Sequence, residues 1–327
     1  MNKSPLFLAI LLAAPVFAQN PGPQPFDAAL VEQVRQLRDE ARAVGATYRV
    51  GVNPAMQYPL ERLCGLRPDL RQWDYATHLM GGCANDAMPE LGQTPLPETF
   101  IGWFSGPRDQ GDCGSCWAFS TIATVEGARL KSHGAPQGRE AADGSIITSG
   151  EAGPLSEQMV LSCNPDGYGC QGGWFSFDML MPSKASQGEG HYPGAVPATA
   201  FPYVAKRVAC QFDPKAPATP VSAWGYVGDG YGIPPVRDIK AAIVRWGGVS
   251  AGVYADTQFQ AYTGGVFNGS AGKQEPNHAI VLVGWDDARG AWLLKNSWGA
   301  GWGINGFMWI KYGANSVGTS PAWAAVN

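Results

Sequence analysis

Between Phe26 and Ala43 apolar residues recur every three to four positions, at Leu30, Val34, Leu37 and Ala41, with Arg and Glu between them. That period predicts an amphipathic helix. It is lost over residues 46–63, where Pro54 and Pro59 favour extended backbone. Trp117–Lys131, rich in Ala and apolar residues and followed by Gly134, predicts the strongest helix of the chain. Ser156 suits the N-cap of a helix running to Leu161, although the third residue on is Met159 rather than the glutamate of a capping box. Val236–Trp246 predicts a further helix, and the short apolar runs Ala251–Tyr254, Ala279–Val283, Ala291–Lys295 and Phe307–Ile310 predict strands. A helical half followed by a mainly β half is the pattern of an α+β fold. Residues 84–97, broken by Gly and three prolines, read as an exposed linker and a domain boundary.

Composition adds export and removes several partners. Lys3 precedes a short apolar run, Leu6–Ala14, and Val16-Phe17-Ala18 has the small-x-small form of a cleavage site. Residues 1–18 therefore read as a secretory signal, too short to span a bilayer. No later stretch is apolar enough for a membrane helix, so a secreted protein is expected, extracellular or periplasmic. The formal net charge is −4 without a basic run, which points away from nucleic acid and anionic membranes. Export also changes the meaning of the 7 cysteines. Thiols pair outside the cytosol, and an odd count leaves at least one over, a reactive candidate.

The chemistry concentrates in Gln110-Gly111-Asp112-Cys113-Gly114-Ser115-Cys116-Trp117. A glycine-rich loop there runs into a helix that starts at Cys116. Unpaired backbone N–H groups and the positive end of the helix dipole favour a thiolate at that position. A thiolate nucleophile needs a base that holds a proton and later gives it to the leaving amine. Only 4 histidines exist. His78 falls before the boundary, His133 ends the helix about 25 Å from Cys116 by helix rise, and His191 sits in a Gly/Pro-rich loop. His278, directly before an apolar strand, is best placed.

This run resembles the nucleophile loop of papain-like cysteine peptidases. Asn277-His278-Ala279 resembles that family's histidine segment, Asn296-Ser297-Trp298-Gly299 its asparagine segment, and Cys170-Gln171-Gly172-Gly173 its substrate-groove loop. The resemblance covers about residues 96–327. It implies a two-lobed fold, with a helical left lobe, a β-barrel-like right lobe and an active-site cleft between them. Residues 19–95 would then be a pro-region that acts as an intramolecular inhibitor, and 96–327 the peptidase domain.

By the same resemblance Cys116 attacks, His278 is its base, Asn296 orients the imidazole and Trp298 shields that bond from water. Gln110 and the backbone N–H of Cys116 bind the oxyanion. Gly172 and Gly173 pair with extended substrate. Trp174, Phe175, Gly252 and Ala279 line an apolar pocket for the residue two before the cut, and Asn277 stands where many relatives carry an acid. The resemblance pairs Cys113 with Cys170 and Cys163 with Cys210. It leaves Cys64 and Cys83 to pair in the pro-region, with Cys116 free. It implies a monomeric endopeptidase acting on proteins or peptides, with no metal and no cofactor. The pro-region would cross the cleft backwards over Tyr48–Leu60, held by the 26–43 helix. The family's late cysteine pair is absent, with Ser320 near one position, and 134–153 is a glycine-rich insertion.

Two other readings fit parts of the pattern. Cys113-Gly-Ser-Cys116 has the spacing of a redox or zinc pair. A thioredoxin-like site needs a preceding strand, and zinc a second nearby pair that Cys163 and Cys170 supply poorly. A catalytically dead binding protein would be expected to lack the nucleophile or the base, and both are present.

Overall fold

A computed structural model describes residues 27–68, 95–150, 153–182, 192–270 and 274–327. The expected signal sequence, most of the linker, Cys83, His78 and His191 lie outside the described residues. The first element, α1 (Ala28–Ala43), is capped by Asp27, whose carboxylate accepts from Ala29 N–H. It buries Val34, Leu37 and Ala41, three of the positions that the period singles out. Residues 46–63 are not extended throughout. Only β1 (Tyr48–Val50) is a strand, and a 3-10 turn at Pro54–Gln57 and the single turn α2 (Leu60–Leu63) follow. The prolines start these turns rather than straighten the chain: Pro54 stands at the first position of one, and Pro59 precedes the other.

After β2 (Thr99–Ile101) comes the long helix α3 (Cys116–Ser132). It is buried on nearly every side, from Trp117 to Leu130, so its apolar residues show no single face. The insertion forms a small hairpin, β3 (Arg139–Glu140) with β4 (Ile146–Ile147). Arg289 pins this hairpin to the body of the protein by an ion pair with Glu140 at 2.8 Å. Helix α4 (Glu157–Cys163) has Ser156 as its cap, with Oγ accepting from Met159 N–H at 3.0 Å. The cap works without the capping-box glutamate.

The second half contains β5 (Val221–Tyr226), α5 (Val236–Trp246), β6 (Val249–Val253), α6 (Thr257–Gln260), β7 (Tyr262–Phe267), β8 (His278–Asp286), β9 (Ala291–Lys295), β10 (Phe307–Lys311) and β11 (Thr319–Val326). Among the described residues nine strands share one sheet in the order β1-β7-β10-β9-β8-β6-β11-β5, with β2 on β8. All these pairs are antiparallel except β10 with β7. The order ends at β1 and β5 without closing, so the barrel-like lobe of the sequence reading is an open sheet. One edge of that sheet, β1, comes from the N-terminal segment.

Two cores reflect the two lobes. One gathers Trp117, Ile122, Met159, Trp174, Phe175 and Trp224 around α3. The other packs Val34, Leu37 and Tyr48 against Phe259, Phe267, Trp298 and Trp302 on the sheet side. The N-terminal segment is thus rooted in the core of the sheet lobe. Tyr48 lies 4.4 Å from Phe267 between ring centroids.

Candidate active site

Gln110, Cys116, His278 and Asn296 are all buried and lie along the seam between the two lobes. Cys116 opens α3, while His278 opens β8, at the end of the strand that runs beside β6 and β9. His278 Nε2 lies 2.8 Å from Asn296 Oδ1. Ser297 N–H also donates to that oxygen at 2.8 Å, which fixes it as the acceptor. Nε2 therefore carries the ring proton and Nδ1 keeps the lone pair, the form a base needs. Nδ1 is buried without a hydrogen-bond partner. The Trp298 ring sits 4.6 Å from the imidazole, tilted by 36°, and covers its bond to Asn296.

The N-terminal segment fills this seam, but not through Tyr48–Leu60. The crossing residues are Leu63–Arg67. Gly65 N–H points at Cys116 Sγ from 3.2 Å. Gln110 Nε2 donates to the Leu63 carbonyl at 2.9 Å and to the Cys113 carbonyl at 2.8 Å. Leu66 pairs in parallel with Gly173: Gly173 N–H donates to Gly65 O at 2.9 Å and Arg67 N–H to Gly173 O at 3.1 Å. On the other wall Leu66 N–H donates to Asn277 O at 3.0 Å. No larger residue fits at Gly65, because a Cβ there would stand 1.8 Å from Gly114 O. Sequence reasoning overlooked this stretch. Its signal is a glycine framed by Leu63 and Leu66, immediately after a helical turn.

Leu66 is 2% exposed and joins the helical-lobe core with Ala279. A Cβ on Gly252 would come 3.1 Å from Leu66 Cδ2, so that glycine makes room for the leucine. Trp174 and Phe175 are buried in the same core, and Trp174 Nε1 donates to Tyr226 Oη at 2.7 Å. Gly172 has φ of +122°. Gly173 packs directly on Trp117, whose ring a Cβ would meet at 2.7 Å.

Sealing the seam sets the charge states. Burial pushes the Cys116 thiol up to about 11, although N–H groups of Ala279, Gly65, Trp117 and Cys116 itself work to lower it. Burial likewise brings His278 down to about 4, against Asn296 and the nearby Leu63 carbonyl, which makes no well-formed bond to Nδ1. With the segment in place the pair is a neutral thiol and a neutral imidazole.

Cys113 is bonded to Cys170 and Cys163 to Cys210, with S–S distances of 2.05 and 2.01 Å. Cys113 and Cys116 are therefore not a redox pair. Cys64 and Cys116 are free among the described residues. No group of three metal-ligating side chains occurs among the described residues, and no helix among them is long and apolar enough to cross a membrane.

A second cluster, also missed in the sequence, lies behind the site. Arg108 pairs with Glu126 on α3 and with Glu157 on α4, the latter at 2.8 Å. Lys295, next to Asn296, donates to Ser105 Oγ at 2.7 Å, and Ser105 bonds Glu126. Burial opposes the Glu126 carboxylate, but Arg108 and Lys295 hold its pKa below the usual range. Burial raises Glu157 to about 7, with Arg108 opposing and Glu126 adding to the rise.

A family model described as papain family cysteine protease matches residues 102–325. The chain belongs to that family. Ananain of Ananas comosus is 33% identical over 206 residues, covering 62% of this chain and 50% of ananain. Mouse pro-cathepsin H is 30% identical over 221 residues, 64% of this chain and 57% of its own. The chain thus spans about half the length of the curated relatives it matches. Among solved structures, digestive procathepsin L2 proteinase from Tenebrio molitor larval midgut superposes with a TM-score of 0.70 at 24% identity, over 92% of this chain and 95% of that one. The Carica candamarcensis cysteine protease CMS1MS2, solved with E-64, reaches 0.55 at 29% identity, over 71% of this chain and all of that one. The first likeness includes the N-terminal segment in the shared fold.

Proposed function

We propose that the chain is the precursor of a secreted cysteine endopeptidase, held latent by residues 19–95. The observation that carries this reading is the placement of Leu63–Arg67. A main-chain carbonyl of this segment accepts from Gln110 Nε2 at 2.9 Å, its amide lies on Cys116 Sγ at 3.2 Å, and its leucine lies against Gly252. The segment occupies the place of a substrate. Its parallel run along Gly173 keeps its peptide bonds out of the orientation in which they would be cut.

Once the segment leaves, water and the N–H groups around Sγ favour the thiolate, and His278 takes the proton on Nδ1. The thiolate then adds to the carbonyl carbon of a substrate peptide. Gln110 Nε2 and the Cys116 N–H stabilise the oxyanion. His278 gives its proton to the departing amine, leaving a thioester on Cys116. Water, deprotonated by His278, hydrolyses the thioester and restores the thiol. Asn296 keeps the imidazole in the required tautomer throughout, and Trp298 shields that bond.

The pocket that seats Leu66 would receive the residue two before the cut. Its surroundings, Gly252 and Ala279 with Trp174 and Phe175 behind, offer no compensating charge. Apolar residues are favoured there by about 1.5–3 kcal/mol for a large side chain, and charged ones are rejected. Export through residues 1–18 accords with the two disulfides. The test is to treat the purified chain, before and after removal of residues 19–95, with a thiol-alkylating epoxide, then to map the labelled peptide and assay hydrolysis of fluorogenic peptides. Labelling at Cys116 that rises with activity on removal supports the reading. A chain that is equally active with the segment attached refutes latency, and labelling elsewhere refutes the site.

A further inference from the structure

Tyr203 stands outside the groups that would touch substrate, yet it joins the two donors of the oxyanion site. Its hydroxyl donates to the Gln110 main-chain carbonyl at 2.8 Å. It also lies 2.7 Å from Ser115 Oγ. A phenol has one proton, and Gln110 O can only accept, so Ser115 Oγ–H donates to Tyr203 Oη at 2.7 Å in preference to the Cys113 carbonyl at 3.4 Å. The result is one directed chain, Ser115 to Tyr203 to Gln110. Its ends are the residue before the nucleophile and the residue whose side chain faces the substrate carbonyl. Gln110 and Ser115 are both 0% exposed, so their ends of these bonds are closed to water.

The phenol itself is firmly placed. Its ring meets Phe119 edge-on at 4.8 Å and 86°. The flanking residues are tied to the α4 region: Ser156 Oγ donates to Phe201 O at 2.6 Å, and Val204 N–H to Gln158 Oε1 at 2.8 Å. On its other side Gln110 is held by the sheet lobe, through its N–H to Ser297 O at 2.9 Å and through Ser297 Oγ to its Oε1 at 2.6 Å. Gln110 is therefore stretched between lobes, with Tyr203 holding its main chain and the Cys113 carbonyl its amide on the helical side.

We propose that Tyr203 is a positioning residue for the oxyanion site, fixing the Gln110 amide relative to the Cys116 N–H. This rests on the peptidase reading above. A donor displaced from the oxyanion costs less than a donor removed, which typically costs 10²–10³ in rate. Tyr203→Phe keeps the ring and deletes only the bonds.

The experiment uses full-length wild-type and Tyr203→Phe chains, each with its covering segment released by the same limited proteolysis. Three quantities are measured: kcat and KM on a fluorogenic peptide, inhibition by a peptide aldehyde, and the rate of alkylation by iodoacetamide. The aldehyde forms a thiohemiacetal whose oxygen needs the oxyanion site, whereas alkylation needs only the thiolate. The expected result is about a tenfold fall in kcat and about a tenfold weaker aldehyde, with KM and alkylation unchanged. Aldehyde binding that stays as in wild type overturns the proposal. So does a parallel loss of alkylation and KM, the mark of general disorder.

Ser115→Ala, which leaves the ring and the Gln110 bond in place, carries the same readouts should Tyr203→Phe fail to fold. A two- to threefold effect confined to kcat and the aldehyde is expected, and no effect overturns the directed chain. An inactive wild type unlabelled at Cys116 would instead sink the peptidase reading. An active wild type with an indifferent Tyr203→Phe sinks this inference alone.

Discussion

The two lobes are held by different forces. Around α3 the chain runs through long loops, and both disulfides fall there, Cys113–Cys170 and Cys163–Cys210. Around β8 nine strands supply backbone ladders, and no described cysteine is bridged. The sheet lobe satisfies its polar backbone within the sheet, as buried strands must. The helical lobe has fewer such ladders and limits its unfolded chain with covalent loops. Each lobe contributes one reactive group: the helix end presents a thiol in a field of N–H groups, and the strand start presents an imidazole fixed by Asn296. Neither suffices alone, so the sharpest tests act at the seam.

The largest effects should belong to the proposed reacting pair. Cys116→Ala and His278→Ala, one from each lobe, should each cost about four orders of magnitude or more in kcat/KM, and the double variant should be little worse, because they act as a unit. Asn296→Ala should cost about 10–100-fold, since Trp298 still packs on the ring. Steady-state assays with a fluorogenic peptide give the comparison. A His278→Ala chain that kept substantial activity would show that the sheet lobe supplies something other than the base.

The covering strand bridges both lobes and tests whether the seam needs it. In Gly65→Ala the new methyl would meet Gly114 O at 1.8 Å. The strand must lift, and activity of the unprocessed chain should rise by an order of magnitude or more. Leaving the cleft would also admit water to His278. Burial keeps that ring near 4 in the closed state, below its ordinary value of about 6.5. In the open state the ring's proton comes from Cys116, so the pair carries one proton whether closed or open, and opening takes up none from solution between those values. Through this pair, latent activity in both chains should therefore stay flat between about pH 6.5 and 5. A closed fraction that falls on mild acidification would mean that Cys116 stays a thiol in the open state while His278 gains a proton.

Replacing Cys163 and Cys210 by serine opens a loop closed at a separation of 47 residues. The chain-entropy model puts the loss at about 4 kcal/mol. Hydrogen exchange should rise around α4 and the 192–210 loop while β8 and β9 stay protected. Equal loss in both lobes would mean that the seam, rather than the bridges, sets local stability.

Much of this was legible because the relevant chemistry is local. A cysteine at a helix start, a histidine before an apolar strand and an Asn-Ser-Trp-Gly run each show in the sequence, and α1 and α5 follow from apolar spacing. What was not legible depends on contacts distant in sequence. Tyr48–Leu60 looked extended because of its prolines, yet Pro54 and Pro59 open turns and the crossing falls at Leu63–Arg67. The open edge of the sheet follows from β1 pairing with β7, some 200 residues on. Arg108 lies in a loop and the buried charges Glu126, Glu157 and Lys295 come from three separate elements, and nothing near any of these three marks it as buried.

Those charges yield the smallest and most specific prediction. Glu157 is 3% exposed and shares Arg108 with Glu126. Arg108 is drawn mainly to Glu126, which stays ionised, so burial lifts Glu157 to about 7 from its ordinary value of 4.5. A raised carboxyl holds a proton in the folded state that the unfolded state has lost. Its contribution is full below pH 4.5 and disappears as pH rises through 7. At about 1.4 kcal/mol per unit, the shift corresponds to about 3 kcal/mol. Glu157→Gln imitates the protonated form and keeps Arg108 on Glu126. It should be near neutral in stability at pH 5 and gain on wild type as pH rises to 8. Glu126→Gln, which leaves Arg108 without its ionised partner, should destabilise at both values. Denaturant unfolding at pH 5 and 8 measures all three chains. A Glu157→Gln difference that does not change with pH would mean that Glu157 is ionised throughout, and that Arg108 makes two full ion pairs rather than one.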